Sequence, residues 1–182
     1  MAHSTSDPAG GTIVAVVGDD AADALELFDR LPGVETLALG DTEPALAARR
    51  IAATAKPWIV HDADPLVHVA AAWVELYEER ATLGTLELEV ETALEAFRRG
   101  EAIMPDYYIV LDPDSADAMW RHWWCGALGH RAPRRIHPVA AGGELRNLLK
   151  ALPTSRPWPE PESWLPNLPF DIPDRVGLQD GG

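Results

Sequence analysis

Short apolar runs alternate along this chain with longer segments of helical periodicity, and this alternation constrains the fold more than any other feature. The five apolar runs, each of a length typical of a buried strand, are residues 12–17, 34–39, 57–60, 107–111 and 135–139. The segments between them repeat apolar residues at a spacing of three and four, as amphipathic helices do. The pattern predicts an α/β fold, with a five-stranded, mainly parallel sheet inside a three-layer α/β/α arrangement.

Helices are predicted between the strands, over residues 20–31, 42–54, 65–99, 115–128 and 144–152. The longest of these segments holds two separate apolar registers, so we expect two helices with a break near Gly84. Ser115 is the expected N-cap of the helix that it begins, because its hydroxyl can accept a hydrogen bond from a free backbone N–H.

The chain divides into three parts by composition. Residues 1–11 are small and polar, and we expect them to be disordered. Residues 12–152 carry the strand and helix pattern and form one domain. Residues 153–182 are rich in proline and tryptophan without helical periodicity, which predicts an extended tail that docks on the domain or on a partner.

Charge and cysteine content exclude several classes of protein. The formal net charge is −14, from 15 Lys and Arg against 29 Asp and Glu, which opposes binding to nucleic acid. Cys125 is the single cysteine, so an internal disulfide is excluded. No apolar run approaches the ~20 residues of a membrane span, and the N-terminus lacks a signal-peptide pattern. We therefore expect a cytoplasmic protein that does not bind membranes.

The residues after the first strand can be compared with a phosphate-binding loop, since ligands of parallel sheets bind beyond the carboxyl ends of the strands. That loop requires Gly-x-x-x-x-Gly-Lys-[Ser/Thr], whose backbone N–H groups and lysine hold the phosphates. Aligned from Gly18, the chain has Asp23 at the second glycine, Ala24 at the lysine and Leu25 at the hydroxyl position. The pattern therefore predicts a degenerate Walker A loop.

Further motifs follow in a fixed order. They are Thr42-Glu43-Pro44 after the second strand, Asp62 at the end of WIVHD, the strand PDYYIVLD at 105–112, an arginine-bearing segment with Arg121 and Arg131 to Arg135, and IHPVAAGGELRNLLKAL at 136–152. Together with VVGDDAADAL at 16–25, this order resembles the P-loop nucleoside and nucleotide kinases, the group of thymidylate kinase and the deoxynucleoside kinases. The resemblance covers residues 12–152.

The resemblance implies a P-loop NTPase-like fold and a role for each matching residue. Residues at the cofactor loop are Gly18, Asp19, Asp20, Asp23 and Ala24. Glu43 and Asp62 are placed at the substrate-base and metal side, with Asp62 among the catalytic residues. Arg121 and Arg131 become catalytic lid residues that clamp phosphate, and Arg134 a substrate-binding residue.

The departures from the family pattern predict the loss of phosphoryl transfer, which depends on positioning and electrostatic stabilisation. The loop lacks its lysine and hydroxyl, and the only lysines of the chain are Lys56 and Lys150. We therefore expect a pseudoenzyme that binds a nucleotide-like ligand or a protein partner. Mg²⁺ and ATP are expected only if the degenerate loop still binds nucleotide. The alternative is an active kinase that holds phosphate with its lid arginines.

A second alternative is a metal-dependent hydrolase. His61, Asp62, Asp64 and His68 lie close in sequence, and imidazole and carboxylate groups are common ligands of zinc and other divalent ions. The competing interpretation is that Asp64 caps the helix beginning at Pro65.

Tryptophans are concentrated in the segment after the fourth strand. Trp120, Trp123, Trp124 and Leu128 have helical spacing, which favours a role in the core or in docking of the tail.

Overall fold

A computed structural model describes residues 11–140, 144–145, 147–152 and 158–171. Its strands are β1 (Thr12–Val17), β2 (Val34–Leu37), β3 (Trp58–His61), β4 (Tyr107–Leu111) and β5 (Ile136–Val139). They form one sheet of order β2-β3-β1-β4-β5, in which all neighbouring strands are parallel. The predicted three-layer α/β fold is confirmed.

Helices cover both faces of the sheet. They are α1 (Ala21–Phe28), α2 (Pro44–Ala52), α3 (Val67–Tyr77), α4 (Leu83–Arg99), α5 (Ala118–Arg121), α6 (Gly129–Arg131), α7 (Leu148–Ala151) and α8 (Pro161–Trp164). Val14 and Val16 of β1 point to the face packed by α1 and α7. Ala15 and Val17 point to the opposite face, where α3 and α4 pack. This alternation follows from the two-residue repeat of a strand.

The long helical segment is interrupted, as predicted, close to Gly84. The chain leaves α3 through Glu79, whose φ is 60°, and α4 begins after Thr82. Thr82 caps α4, since its hydroxyl accepts a hydrogen bond from the backbone N–H of Thr85 at 3.3 Å. Gly84 itself lies in the first turn of α4. The threonine cap therefore sets the start of the second helix.

The segment after β4 differs from its prediction at both ends. Asp117, not Ser115, is the N-cap, and its carboxylate accepts a hydrogen bond from Met119 N at 2.9 Å. The Ser115 hydroxyl instead contacts the carboxylate of Asp112. After α5 the chain widens into a π-helix over His122–Leu128 that buries Trp123 and Trp124. Wide turns of this kind are rare and often occur at functional sites.

The described part of the predicted tail, residues 158–171, is called the C-terminal segment. It contains α8 and a 3-10 helix (Leu165–Phe170), so the expectation of an extended conformation is wrong here. It docks on the domain, where Leu168 is fully buried. Trp73 Nε1 donates to the carbonyl of Leu168 at 3.3 Å, and the Tyr77 hydroxyl donates to that of Pro169 at 2.8 Å. Docking therefore combines apolar burial with hydrogen bonds.

The expected disorder of residues 1–11 falls outside the described residues except for Gly11. The helix predicted over 144–152 is shorter in the structure, where α7 begins at Leu148, and residue 146 lies outside the described residues. In the part of the chain that the structure describes, no helix is long and apolar enough to cross a membrane.

Candidate functional site

A cleft of about 980 Å³ opens at the carboxyl ends of β1, β2 and β3. At this point the chain leaves the neighbouring strands β1 and β3 towards opposite faces of the sheet. After β1 it enters α1 on one face, and after β3 it continues towards α3 on the other. Such a divergence creates a crevice in parallel sheets, and ligands commonly bind there. The volume lies at the upper end of the range for small-molecule sites.

The connection between β1 and α1 consists of residues 18–20 only. Gly18 is required there, because its φ is +117° and an added Cβ would lie 2.8 Å from the carbonyl oxygen of Leu111. In the alignment with a phosphate-binding loop, the positions of the second glycine and the lysine, Asp23 and Ala24, fall inside helix α1, which begins at Ala21. Ala24 and Leu25 are buried among the residues between α1 and the sheet, so neither replaces a phosphate-binding side chain.

The three aspartates in and after this connection lie in different environments. Asp19 lines the cleft, whereas Asp20 precedes α1 without a side-chain capping bond. Asp23 lies in the first turn of α1 and is exposed. The five residues assigned to a cofactor loop are therefore split between the cleft, the solvent and the core.

Asp62 ties the end of β3 to the loop that follows β2. Its Oδ1 accepts hydrogen bonds from the backbone N–H groups of Leu39 at 2.5 Å and Gly40 at 2.9 Å. A Cβ on Gly40 would lie 3.2 Å from the other carboxylate oxygen, so the loop packs closely against Asp62. Asp62 lines the cleft, and its bonds shape the cleft wall.

Glu43 is the N-cap of α2. Its two carboxylate oxygens accept hydrogen bonds from Ala45 N and Leu46 N, each at 3.0 Å. These bonds lower the pKa of Glu43, because they favour the charged carboxylate. The side chain reaches the edge of the cleft, but both of its oxygens are engaged by the helix that it caps.

Asp64 stabilises the turn that precedes α3, although the helix begins at Val67 after Leu66 and not at Pro65 as the capping interpretation expected. Its Oδ1 accepts hydrogen bonds from Leu66 N and from the Tyr108 hydroxyl, both at 2.9 Å. Burial raises the pKa of Asp64, since removal of water disfavours the charged form. Tyr108 thus connects strand β4, which lies beside the central strand β1, with the wall of the cleft.

His61, the last residue of β3, is fully buried. Its Nδ1 accepts a hydrogen bond from Ala63 N at 3.2 Å, which leaves the proton of the neutral ring on Nε2. Within the described structure, Nε2 is buried without a hydrogen-bond partner. Burial lowers the pKa of His61 to about 4, against the opposing effect of the Asp62 charge.

The predicted metal site is not assembled. Among the residues described, no three His, Cys, Asp or Glu side chains are arranged to hold a metal ion. Asp62 and Asp64 each use an oxygen on backbone N–H groups, while His68 lies exposed on α3. His61 turns its accepting nitrogen towards Ala63. The geometry therefore contradicts the metal-binding assignment of this set.

The three arginines assigned to the phosphates lie outside the cleft lining. A terminal nitrogen of Arg131 donates to both carboxylate oxygens of Asp171, at 2.9 and 2.7 Å, and so fastens the C-terminal segment. Arg121 pairs with Asp114 at 3.5 Å on the surface. Arg134 is exposed, and its carbonyl group contacts the ring of His137 at 3.0 Å. None of these contacts forms a lid over the cleft.

The cleft instead combines acidic and aromatic side chains. Its acidic residues are Asp19, Asp41, Glu43, Asp62, Asp64, Glu89, Glu101 and Asp117, and no Lys or Arg occurs among its described lining residues. Trp120 and Trp124 also line it, with ring centroids 5.5 Å apart and planes tilted by 40°. Sequence analysis placed these tryptophans in the core or against the tail, and Trp124 is in the core with Trp120 packed against it, but the analysis did not predict that both also line the cleft.

Sequence analysis also missed the part of α4 that faces the cleft. Glu89, Thr92, Ala93 and Ala96 line the cleft at a spacing of three, four and seven residues. A stripe of small and polar residues at helical spacing was the available signal, but it resembles an ordinary solvated helix face.

Comparison with known proteins assigns no family. A scan against protein-family models gives no match, and searches of curated proteins and of solved structures find no significant similarity. The resemblance to P-loop nucleoside and nucleotide kinases therefore stays a prediction from short motifs.

Proposed function

We propose that this chain is a ligand-binding α/β protein that holds a small molecule in the cleft and does not transfer phosphoryl groups. One observation carries the proposal: a large cleft lies at the divergence of the strand connections, and its described lining contains carboxylates and tryptophans without a lysine or arginine. A site of this position and size favours binding of a small molecule. Its charge favours a ligand without phosphate groups.

Electrostatics support the absence of phosphoryl transfer. Enzymes of that class stabilise the transferring phosphoryl group with positive side chains, metal ions and backbone N–H groups. Here Arg131 is held by Asp171, and Asp19 lies within the short β1–α1 connection and lines the cleft. Two like charges 4 Å apart repel by about 1 kcal/mol in bulk water and by more at lower dielectric constant. A polyphosphate would therefore meet repulsion in this cleft.

Calorimetric titration and a turnover assay test the proposal. We expect no Mg²⁺-dependent phosphoryl transfer from ATP or GTP and no binding of either at millimolar concentration. Small compounds without phosphate, including nucleosides, are to be screened by ligand-observed NMR. We expect some of them to bind the wild-type protein. The same compounds should not bind the Ala96→Trp variant, in which the new side chain fills the cleft from α4.

Leu88→Trp is the matched control, because Leu88 lies on the same helix, is 65% exposed and does not line the cleft. It is expected to bind the same compounds as the wild type. Micromolar binding of ATP, or phosphoryl transfer that Ala96→Trp abolishes, would support the alternative of an active kinase and refute the proposal. Binding that both tryptophan variants retain would place the site elsewhere and refute it equally.

A further inference from the structure

The free carboxylates of the cleft are the first clue to its ligand. Glu43, Asp62, Asp64 and Asp117 are engaged with backbone N–H groups. In the described part of the chain, no hydrogen bond or ion pair engages the carboxylates of Asp19, Asp41, Glu89 and Glu101. A cleft lined by charges of one sign concentrates the field and attracts ligands of the opposite sign.

The tryptophan pair is the second clue. Trp120 and Trp124 lie in contact on the wall of the cleft, which brings indole rings and carboxylates into one site. Indole is the best aromatic partner for a cation, through the electrostatic attraction of its ring face. Carboxylates alone also attract metal ions, but no metal-ligand cluster forms in the described residues. Aromatic rings favour an organic cation instead.

Two residues of the cleft wall that have buried, unpaired nitrogen donors supply an independent observation. Trp124 is 7% exposed and His61 is fully buried, and both are lining residues. Trp124 Nε1 and His61 Nε2 have no hydrogen-bond partner within the described structure. Buried donors are rarely left unpaired, and leaving one so costs about 1–3 kcal/mol. A ligand with an accepting oxygen relieves this deficit if it reaches either donor.

From these observations we infer that the cleft binds an organic cation, an amine or quaternary ammonium compound that also carries a hydrogen-bond-accepting oxygen. The inference rests on the proposed function and adds the chemical class of its ligand. The carboxylates of Glu89 and its neighbours attract the positive group, Trp120 and Trp124 contact it, and the buried donors select the oxygen.

Pairs of compounds that differ in charge test the inference by calorimetry and ligand-observed NMR. Choline is compared with its neutral isostere, in which a tert-butyl group replaces the trimethylammonium group, and tyramine is compared with tyrosol. We expect the cation of each pair to bind about tenfold or more tightly than its neutral partner. Binding is expected to weaken at high salt, because its charge contribution is screened.

Two variants locate the interaction. Glu89→Gln is expected to weaken binding of choline about fivefold, and Trp120→Leu about tenfold. Glu87→Gln is the matched control, because Glu87 lies on the same helix and is exposed without lining the cleft. It is expected to leave the affinity within about twofold of the wild type.

The outcomes separate this inference from the proposed function. If neutral partners bind as tightly as cations and Ala96→Trp removes both, the cleft is a small-molecule site and the cation class is wrong. If cations bind with the same affinity to the wild type, Ala96→Trp and Glu89→Gln, the cations associate only with the acidic surface, and the inference is overturned. If neither cation binds, the inference fails, and silence of the full phosphate-free screen refutes the proposed function as well.

Discussion

Acidification is expected to destabilise this fold through the buried imidazole ring of His61. The ring lies at the end of β3 with an exposed fraction of 0%. Burial lowers its pKa from 6.5 to about 4 in the folded protein. Because the folded pKa lies below the unfolded value, the unfolded chain binds more protons in acid, and stability rises with pH. The contribution of His61 is fully present above pH 6.5 and is lost as the pH falls towards 4.

The size of this effect follows from the two pKa values. Integration of proton binding gives a loss of about 2 kcal/mol between pH 7 and pH 5, and an acid limit of about 3 kcal/mol. Asp64 acts in the opposite direction, because its raised pKa stabilises the folded state when the carboxyl group takes up a proton. Comparison with a variant that lacks only the His61 ring is therefore necessary.

Urea unfolding at pH 7, 6 and 5, followed by tryptophan fluorescence, measures the effect. We compare the wild type with His61→Leu, which has no titrating ring and fills a similar volume. The wild type is expected to lose about 2 kcal/mol more than this variant between pH 7 and pH 5. His68→Leu is the control, because it replaces an exposed histidine of α3 and retains His61. Its loss of unfolding free energy between pH 7 and pH 5 is expected to equal that of the wild type. Parallel pH profiles of the wild type and His61→Leu would refute the reasoning.

Two further substitutions test local features of the fold by the same unfolding assay. Gly18→Ala is expected to destabilise the protein by about 1–3 kcal/mol, because of its positive φ and the close carbonyl oxygen behind it. Gly84→Ala, whose Cβ meets no atom closer than 3.7 Å, is expected to be neutral or stabilising, and equal losses would contradict the argument. Asp171→Asn is expected to cost about 2 kcal/mol, because it weakens the largely buried pair with Arg131. Glu162→Gln, at an exposed ion pair, is expected to change stability by less than about 0.5 kcal/mol, and a loss as large as that of Asp171→Asn would show that burial does not decide the effect.

Local pattern was sufficient for the central elements. The predicted bounds of β1 and β4 agree with the structure, because these strands are buried on both faces and consist almost entirely of β-branched, aromatic and other apolar residues. At β3 the prediction covered residues 57–60, whereas the strand runs from Trp58 to His61. The strand therefore continues one residue beyond its predicted end. Its last residue, His61, is polar, but its neutral ring is buried in the core.

The candidate site was predicted only in part. Its position at the carboxyl ends of the strands follows from strand–helix alternation, and Asp62 and Asp64 do lie there. Their roles could not be predicted from the sequence, since an aspartate that binds a ligand and one that accepts a backbone N–H hydrogen bond are the same residue type. Arg131 could not be assigned from sequence either, because its partner Asp171 lies 40 residues away.

The sequence by itself determined the class of fold and the overall acidity of the protein, because both depend on local periodicity and on residue counts. Only the tertiary structure decided the strand order, the docking of the C-terminal segment and the character of the cleft. Strand order brings together residues far apart in the chain, here Asp19, Glu89 and Trp120. The local sequence around each of them contains no information about the others, so their shared electrostatic environment arises only when the sheet is assembled and the helices pack on it.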